Sequence, residues 1–305
     1  MRRGCAPAQR LRLGDMAVRV IRFGPAGWDY PDWSGKVYPA PKPKGFDPLR
    51  YLAGYFDTVE INSTFYRPAA PKVAQSWAER VADRKAFRFT AKLYRRFTHE
   101  RDSAWRREEV DEVRKGLDPL AESGKLGALL LQFPWSFRNT EENREWLRDL
   151  ERAFHDYPLV VEVRHLSWNE PEFYAELLAS QVGIVNVDQP MFRNSLPPSA
   201  RATSTVGYIR VHGRNYKDWF RKTAGRDERY DYLYSANELK PWAERTKALA
   251  EEKGVTDVYV VNNNHFAGQA VTNALMLEAQ VTGERVSVPE TLLQTYPKEL
   301  APVAR

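Results

Sequence analysis

Cysteine is nearly missing from this chain of 305 residues, whose single thiol is Cys5. One thiol excludes an internal disulfide and any cysteine-built metal centre. It suits a reducing compartment, so a cytoplasmic location is expected. Long apolar runs are missing as well: no stretch approaches the roughly 18 residues of a membrane helix, and the mean hydropathy is -0.60. No membrane partner is expected. The fingerprints G-x-G-x-x-G and G-x-x-x-x-G-K are absent, which removes the sequence grounds for a nucleotide cofactor, and none is expected. No H-x-H or H-E-x-x-H run pairs two histidines as metal ligands. Histidine itself is scarce, five in all, so the places where it falls carry weight.

What is present is a hydrophobic fraction of 43%, ample for a large core, and a net charge of +6. A basic balance favours an anionic partner only where it is concentrated on one face. Most of it is diluted, as where Arg106 and Arg107 precede Glu108 and Glu109 in a helical pattern. Met1 to Asp15 carries arginines without the apolar stretch of a secretory signal. Residues 1–17 are expected to be a disordered leader, with Met16 as an alternative start, and residues 18–305 a single domain.

Runs rich in β-branched residues alternate with helical patterns, the signature of repeated βα units around a parallel sheet. Strands are expected at Val20 to Gly24, Thr58 to Asn62, Phe87 to Lys92, Leu126 to Gln132, Leu159 to Arg164, Gly183 to Asp188, Val206 to His212 and Val258 to Asn263. Helices are expected at Pro48 to Tyr55, Pro71 to Ala82, Ala104 to Ser123, Glu141 to His155, Pro171 to Ser180, Asn237 to Lys253 and Ala270 to Gln280, several opened by a proline or a capping residue. Eight strands of this kind predict an α/β (β/α)8 TIM barrel. The sixth unit is irregular, because Gln189 to Thr203 is rich in Pro, Ser and Asn and reads as a loop. After the seventh strand, Gly213 to Ser235 is long and aromatic, either a lid or an insertion on the barrel exterior. The tail after Thr282 reads as a strap or a frayed end.

Active sites of this fold lie at the C-terminal ends of the strands, and polar residues gather there in this chain. By the period-two rule Glu60 shares a face with Asn62, Glu162 with Arg164, and Arg210 with His212. Lys92 ends the third strand, Gln132 the fourth and Asp188 the sixth. His165, His212 and His265 fall at or just past strand ends, where near-neutral titration suits acid/base work. The competing explanation is an ion network that satisfies itself; such networks seldom stabilise a fold better than apolar packing. Glu60, Glu162, Asp188, His212 and His265 are metal-ligand types, but Lys92, Arg164 and Arg210 would compete with a cation, so no metal is expected. Anion binding is better supported. The loops after strands seven and eight, with Gly213, Arg214, Asn263, Asn264 and His265, have the make-up of a phosphate or carboxylate site. Trp28 and Tyr66, close to their strand ends, are candidates to stack on a sugar or a base.

The string Gly27-Trp28-Asp29-Tyr30-Pro31-Asp32-Trp33 is followed by Phe56-Asp57-Thr58-Val59-Glu60-Ile61-Asn62-Ser63-Thr64-Phe65-Tyr66. Val161-Glu162-Val163-Arg164-His165, Val211-His212-Gly213-Arg214-Asn215 and Asn263-Asn264-His265-Phe266 come later. With these motifs, from about Ile21 to the last helix, the chain resembles the YecE-like family of unknown function, domain of unknown function seventy-two. The resemblance implies a TIM barrel and no established reaction. The leading expectation is therefore a metal-independent acid/base enzyme, a hydrolase or an isomerase, acting on a phosphorylated or anionic, sugar-like ligand. Glu60, Glu162 and His212 are its candidate proton-transfer groups. Because the family's barrel is similar to that of abasic-site endonucleases, a nucleic-acid-binding or phosphoester-hydrolysing protein is one alternative, and a non-catalytic ligand sensor is another.

Overall fold

Each of the eight apolar runs forms a strand, and every strand pairing is parallel. In a computed structural model describing residues 19–219, 221, 223 and 225–305, the strands are β1 (Val20–Pro25), β2 (Thr58–Ile61), β3 (Arg88–Lys92), β4 (Leu126–Gln132), β5 (Leu159–Glu162), β6 (Gly183–Asp188), β7 (Val206–Val211) and β8 (Asp257–Asn262). The expected leader, with Cys5 and Met16, lies outside the described residues. The strands follow the order β1-β8-β7-β6-β5-β4-β3-β2 in one sheet. At the β1–β2 seam a single bridge, Ala26 to Glu60, joins the two edges, with Gly27 N–H donating to the Glu60 carbonyl at 2.8 Å. Gly24 is required there: a Cβ would stand 1.9 Å from the Thr58 carbonyl oxygen. The result is a nearly closed TIM-type barrel.

The crossover helices begin where local chemistry satisfies their orphan N–H groups. They are α1 (Pro48–Leu52), α2 (Pro71–Arg80), α3 (Arg107–Glu122), α4 (Glu141–Phe154), α5 (Pro171–Ala179), α6 (Ala236–Glu251) and α7 (Gln269–Thr282). Asp47 caps α1 by accepting from Leu49 N and Arg50 N, Thr140 caps α4, and Ser235 with Glu238 forms a capping box on α6. No helix among the described residues is long and apolar enough to cross a membrane.

The sixth unit has no helix, as its composition predicts. Asn186, on the outer face of β6, takes over the pinning: its Oδ1 accepts from Ser199 Oγ at 2.6 Å and Arg201 N at 2.8 Å. The tail is a strap. Its two short helices, Glu290–Thr295 and Pro297–Leu300, bury Leu292 and Leu300. Thr291 Oγ1 donates to the Val37 carbonyl at 2.8 Å, and the Tyr296 hydroxyl donates to the Ala267 carbonyl at 2.9 Å.

Strand alternation divides the core. One face of the strands turns Ala128, Leu130, Val160, Val185, Val187, Tyr208, Tyr259 and Val261 into the lumen, while the other packs against the helices. The apolar lumen gives way to charge towards the C-terminal ends of the strands.

Candidate functional site

Arg210 of β7 is the centre of that charged layer, with 1% of its surface exposed. Tyr208, Arg210 and His212 share one face of their strand, so Arg210 projects into the lumen above Tyr208. Its Nε donates to Glu60 Oε2 at 2.9 Å and its Nη2 to Glu60 Oε1 at 2.6 Å, a bidentate clamp. Nη1 donates to Glu162 Oε2 at 2.5 Å. Arg164, two residues beyond Glu162, folds back so that its Nε donates to Glu162 Oε1 at 2.8 Å. The Tyr208 hydroxyl donates to Glu60 Oε2 at 3.0 Å and lies 2.7 Å from Thr90 Oγ1. Both carboxylates are fully buried, and each is matched by a guanidinium.

Burial alone would push the Glu162 carboxyl up. The opposing charges of Arg210 and Arg164, with His212, hold it well below the usual carboxylate range instead. His212 goes the other way. Burial, with Arg164 and Arg210 alongside, takes its imidazole down to about 3 against the pull of Glu162. Its 3.2 Å contact with Glu162 Oε1 is therefore a neutral hydrogen bond and not an ion pair. The Asn263 amide faces Nδ1 at 3.0 Å, which leaves Nε2 to carry the proton towards Glu162.

Above this layer lies a cavity of about 80 Å³ at the strand ends. Lys92, Asn62, Asn263 and His265 contribute polar walls, and Tyr30, Phe65, Tyr66 and Tyr230 contribute rings. The Tyr30 and His265 rings stack at 4.5 Å, which fixes one wall. Lys92 Nζ stands 3.9 Å over the Phe65 ring and pairs with no carboxylate among the described residues. Burial, reinforced by Arg210, draws its ammonium down to about 7 in spite of Glu60 and Glu162. A larger groove of about 580 Å³ runs beside Arg148, Glu151 and Arg152 of α4 to the first residues of β5 and β6. It belongs to the N-terminal face, where barrels keep stability rather than chemistry.

Five of the residues expected in the site stand elsewhere. Trp28 packs edge-on against Trp77 of α2 at 5.6 Å and tilts against Phe89, so its ring sits between barrel and helices. Asp188 follows the lumen-facing Val187 and points outward, where Arg214 Nε reaches it at 3.0 Å. That pair engages Arg214, which leaves no guanidinium there for an anion. Asn264 donates to the Tyr232 carbonyl and to Asn273 Oδ1, both at 2.8 Å. His165 Nδ1 accepts from Ser167 N at 3.1 Å, capping the turn Leu166–Trp168. Gln132 keeps the lumen-facing parity of Leu130, in register with Glu162, and its amide donates to the Phe133 carbonyl at 2.6 Å. The N-terminus of α7 is likewise occupied: Ala267 N donates to Asp32 Oδ2 at 2.6 Å, and Gln269 Oε1 accepts from Tyr232 N at 2.8 Å. The loops after β7 and β8 thus hold the long segment in place instead of presenting an open anion site.

Two described residues of the segment Gly213 to Ser235, Trp219 and Tyr230, lie at the C-terminal face. Arg164 lies 5.5 Å over the Trp219 ring, and Trp219 and Tyr230 stand 6.2 and 6.5 Å from His212. Gly213, at φ 92°, makes the turn into it, and a Cβ there would stand 2.9 Å from the Cβ of Tyr232. Tyr208 and Tyr230 are the participants that sequence reasoning did not single out. Tyr208 shares strand parity with Arg210, a signal present in the sequence; Tyr230 sits in a loop, where no periodicity marks it.

The profile of the family described as "Protein of unknown function DUF72" matches residues 22–299. The UPF0759 protein YunF of Bacillus subtilis (strain 168) is 31% identical over 269 residues, 83% of this chain and 92% of that protein. The UPF0759 protein YecE of Escherichia coli (strain K12) is 29% identical over 52% of this chain and 51% of its own length. Among solved structures, a DUF72 family protein from Thermotoga maritima MSB8 superposes with a TM-score of 0.73 at 32% identity, covering 87% of this chain and all of that one. With its motifs, its barrel and these matches in agreement, the chain belongs to the DUF72 family, the YecE-like proteins.

Proposed function

We propose that the chain is a metal-independent enzyme that binds a small anionic ligand in the cavity at the C-terminal face and exchanges a proton with it through Lys92. The observation that carries this reading is the charge balance. Glu60 and Glu162 are matched by Arg210 and Arg164, and His212 is neutral, so Lys92 is the unmatched cation of the cluster. An anion entering the cavity meets that charge in surroundings where it is weakly screened. Glu60 and Glu162 act as positioning groups: they fix Arg210 and Arg164, which in turn shape the floor under Lys92. An amine titrating near 7 is poised for general acid/base work at neutral pH. The ring walls suit the apolar face of a compact sugar-like ligand.

A metal would have to displace guanidinium groups from both carboxylates, which argues for the metal-independent reading. A cytoplasmic location and a small-molecule partner belong to the same proposal. The nucleic-acid alternative calls for a basic stripe, whereas arginines on the outer helices, such as Arg114, Arg144 and Arg148, face Asp156, Glu176 and Glu141. The test is a thermal-shift panel of phosphate, phosphoglycolate and sugar phosphates on the wild type and on Lys92→Met. Anions should raise the melting temperature of the wild type only. Equal stabilisation of the variant would overturn the reading.

A further inference from the structure

A lysine enclosed at a barrel rim serves either as a lasting cation or as a nitrogen nucleophile, and the surroundings decide between them. A permanent cation is normally given a carboxylate, as Arg210 and Arg164 are here. Lys92 has none among the described residues, and its amine faces the Phe65 ring at 3.9 Å. Burial and the neighbouring guanidinium of Arg210 disfavour the charged form and outweigh the pull of Glu60, Glu162 and the Phe65 ring face, so the neutral amine is well populated near pH 7. Nucleophilic lysines are activated in this way, by apolar burial beside another cation. Lys125, which is buried, differs: its Nζ donates to the Arg84 carbonyl at 2.6 Å and lines no strand-end cavity.

We propose that Lys92 forms an imine with a compact carbonyl compound carrying an anionic group beside the carbonyl, the 2-oxo acids being the simplest class. This rests on the cavity being the ligand site. In the step, the Nζ lone pair attacks the carbonyl carbon to give a carbinolamine. A nitrogen proton passes to the oxygen, and water departs as the C=N bond forms. One amine and one carbonyl thus become one iminium and one water once a proton is supplied, with no change of oxidation state. Tyr66 and Tyr230 line the same cavity, and a phenol is a group able to supply that proton. The iminium keeps a positive charge next to the ligand's anionic group, which preserves the charge match after the amine has reacted. Size favours a compact ligand, since the cavity is small, about 80 Å³.

The experiment is reductive trapping. Wild type and Lys92→Arg are incubated with pyruvate, glyoxylate or acetaldehyde and cyanoborohydride, then mapped by peptide mass spectrometry. The expected product is Lys92 heavier by the carbonyl compound less one oxygen, formed faster with pyruvate than with acetaldehyde and faster than at exposed lysines. Adducts spread evenly over exposed lysines, with Lys92 untouched, would overturn the imine. A parallel melt with phosphoglycolate, which has no carbonyl to condense, separates the two ideas. Stabilisation without trapping removes the imine alone, whereas neither stabilisation nor trapping removes the site reading too. The arginine variant keeps a cation of similar length, and its own melt reports whether lost trapping follows from lost folding.

Discussion

Replacing Arg210 by Met should cost stability in a manner that depends on pH. Arg210 clamps Glu60 through two hydrogen bonds and Glu162 through a third, all fully buried. Removing it leaves two enclosed carboxylates facing one another, with Arg164 as the nearest remaining cation. Breaking a buried pair by deleting one partner costs about 3–5 kcal/mol. The sign with pH follows from linkage. In the wild type the folded Glu162 carboxyl is held below its ordinary value near 4.3, so its contribution is complete above that pH and fades only as pH falls through the folded value. In Arg210→Met, Glu162 keeps Arg164 while the other buried carboxyl loses its only guanidinium; burial raises such a group, so the variant keeps a proton at mildly acid pH and loses stability as pH rises through the raised value. The deficit should therefore be small near pH 5 and reach the full 3–5 kcal/mol near pH 8. Urea unfolding at both values, followed by circular dichroism and tryptophan fluorescence, measures it. A deficit below about 1 kcal/mol, or one equal at the two pH values, would refute the assignment of Arg210 as the counter-charge.

Anion affinity should weaken as pH rises through about 7, because the Lys92 ammonium that attracts the ligand is then lost; calorimetric titration with phosphoglycolate at pH 6 and 8 checks this. Asp188→Asn should release Arg214 and loosen Gly213 to Ser235 at a cost of about 1–3 kcal/mol, seen as faster limited proteolysis within that segment, with the barrel melting as one transition. Gly24→Ala should destabilise by at least about 2 kcal/mol, since a Cβ 1.9 Å from the Thr58 carbonyl forces the β1–β2 seam apart. An unchanged denaturation midpoint would count against that close approach.

The fold was legible because its signals are local. β4 and β6 run over the expected spans, Leu126–Gln132 and Gly183–Asp188, because β-branched and apolar runs bounded by turn residues carry both ends. The starts at Pro48, Pro71 and Pro171 hold because proline marks a helix opening. The ends of α1 and α2 were overshot, at Tyr55 and Ala82; in α1 the stop was legible, because Gly54 directly follows the Ala53 cap. In the site, alternation places Glu60, Glu162, Arg164, Arg210 and His212 around one space. It does not say which parity of β6 faces inward; once Val185 and Val187 fill the lumen, Asp188 has to point out. His165 could have been set aside on the same rule, because it follows the inward Arg164. Trp28 lies in a loop, where no period applies, and only packing against Trp77 and Phe89 reveals its direction. Lys92 was visible as a residue but not as the unmatched cation, since the pairing of every other charge is a three-dimensional property.

The lopsided pairing of β1 has a consequence in time. As the chain leaves the ribosome, β1 emerges first, yet its neighbour in sequence offers it a single bridge. Its six-residue ladder is made with β8, more than 200 residues later. Until β8 appears, β1 has an open edge, and the loop that must close to pair them is nearly the whole chain, which makes that closure entropically costly and slow. Residues 290–300, which follow β8 in the chain, then bond to the turns after β1 and β8, through Val37 and Ala267. Completion of the barrel therefore waits for β8, and an arrested chain of four or five strands would be a substrate for chaperones instead of a folded half.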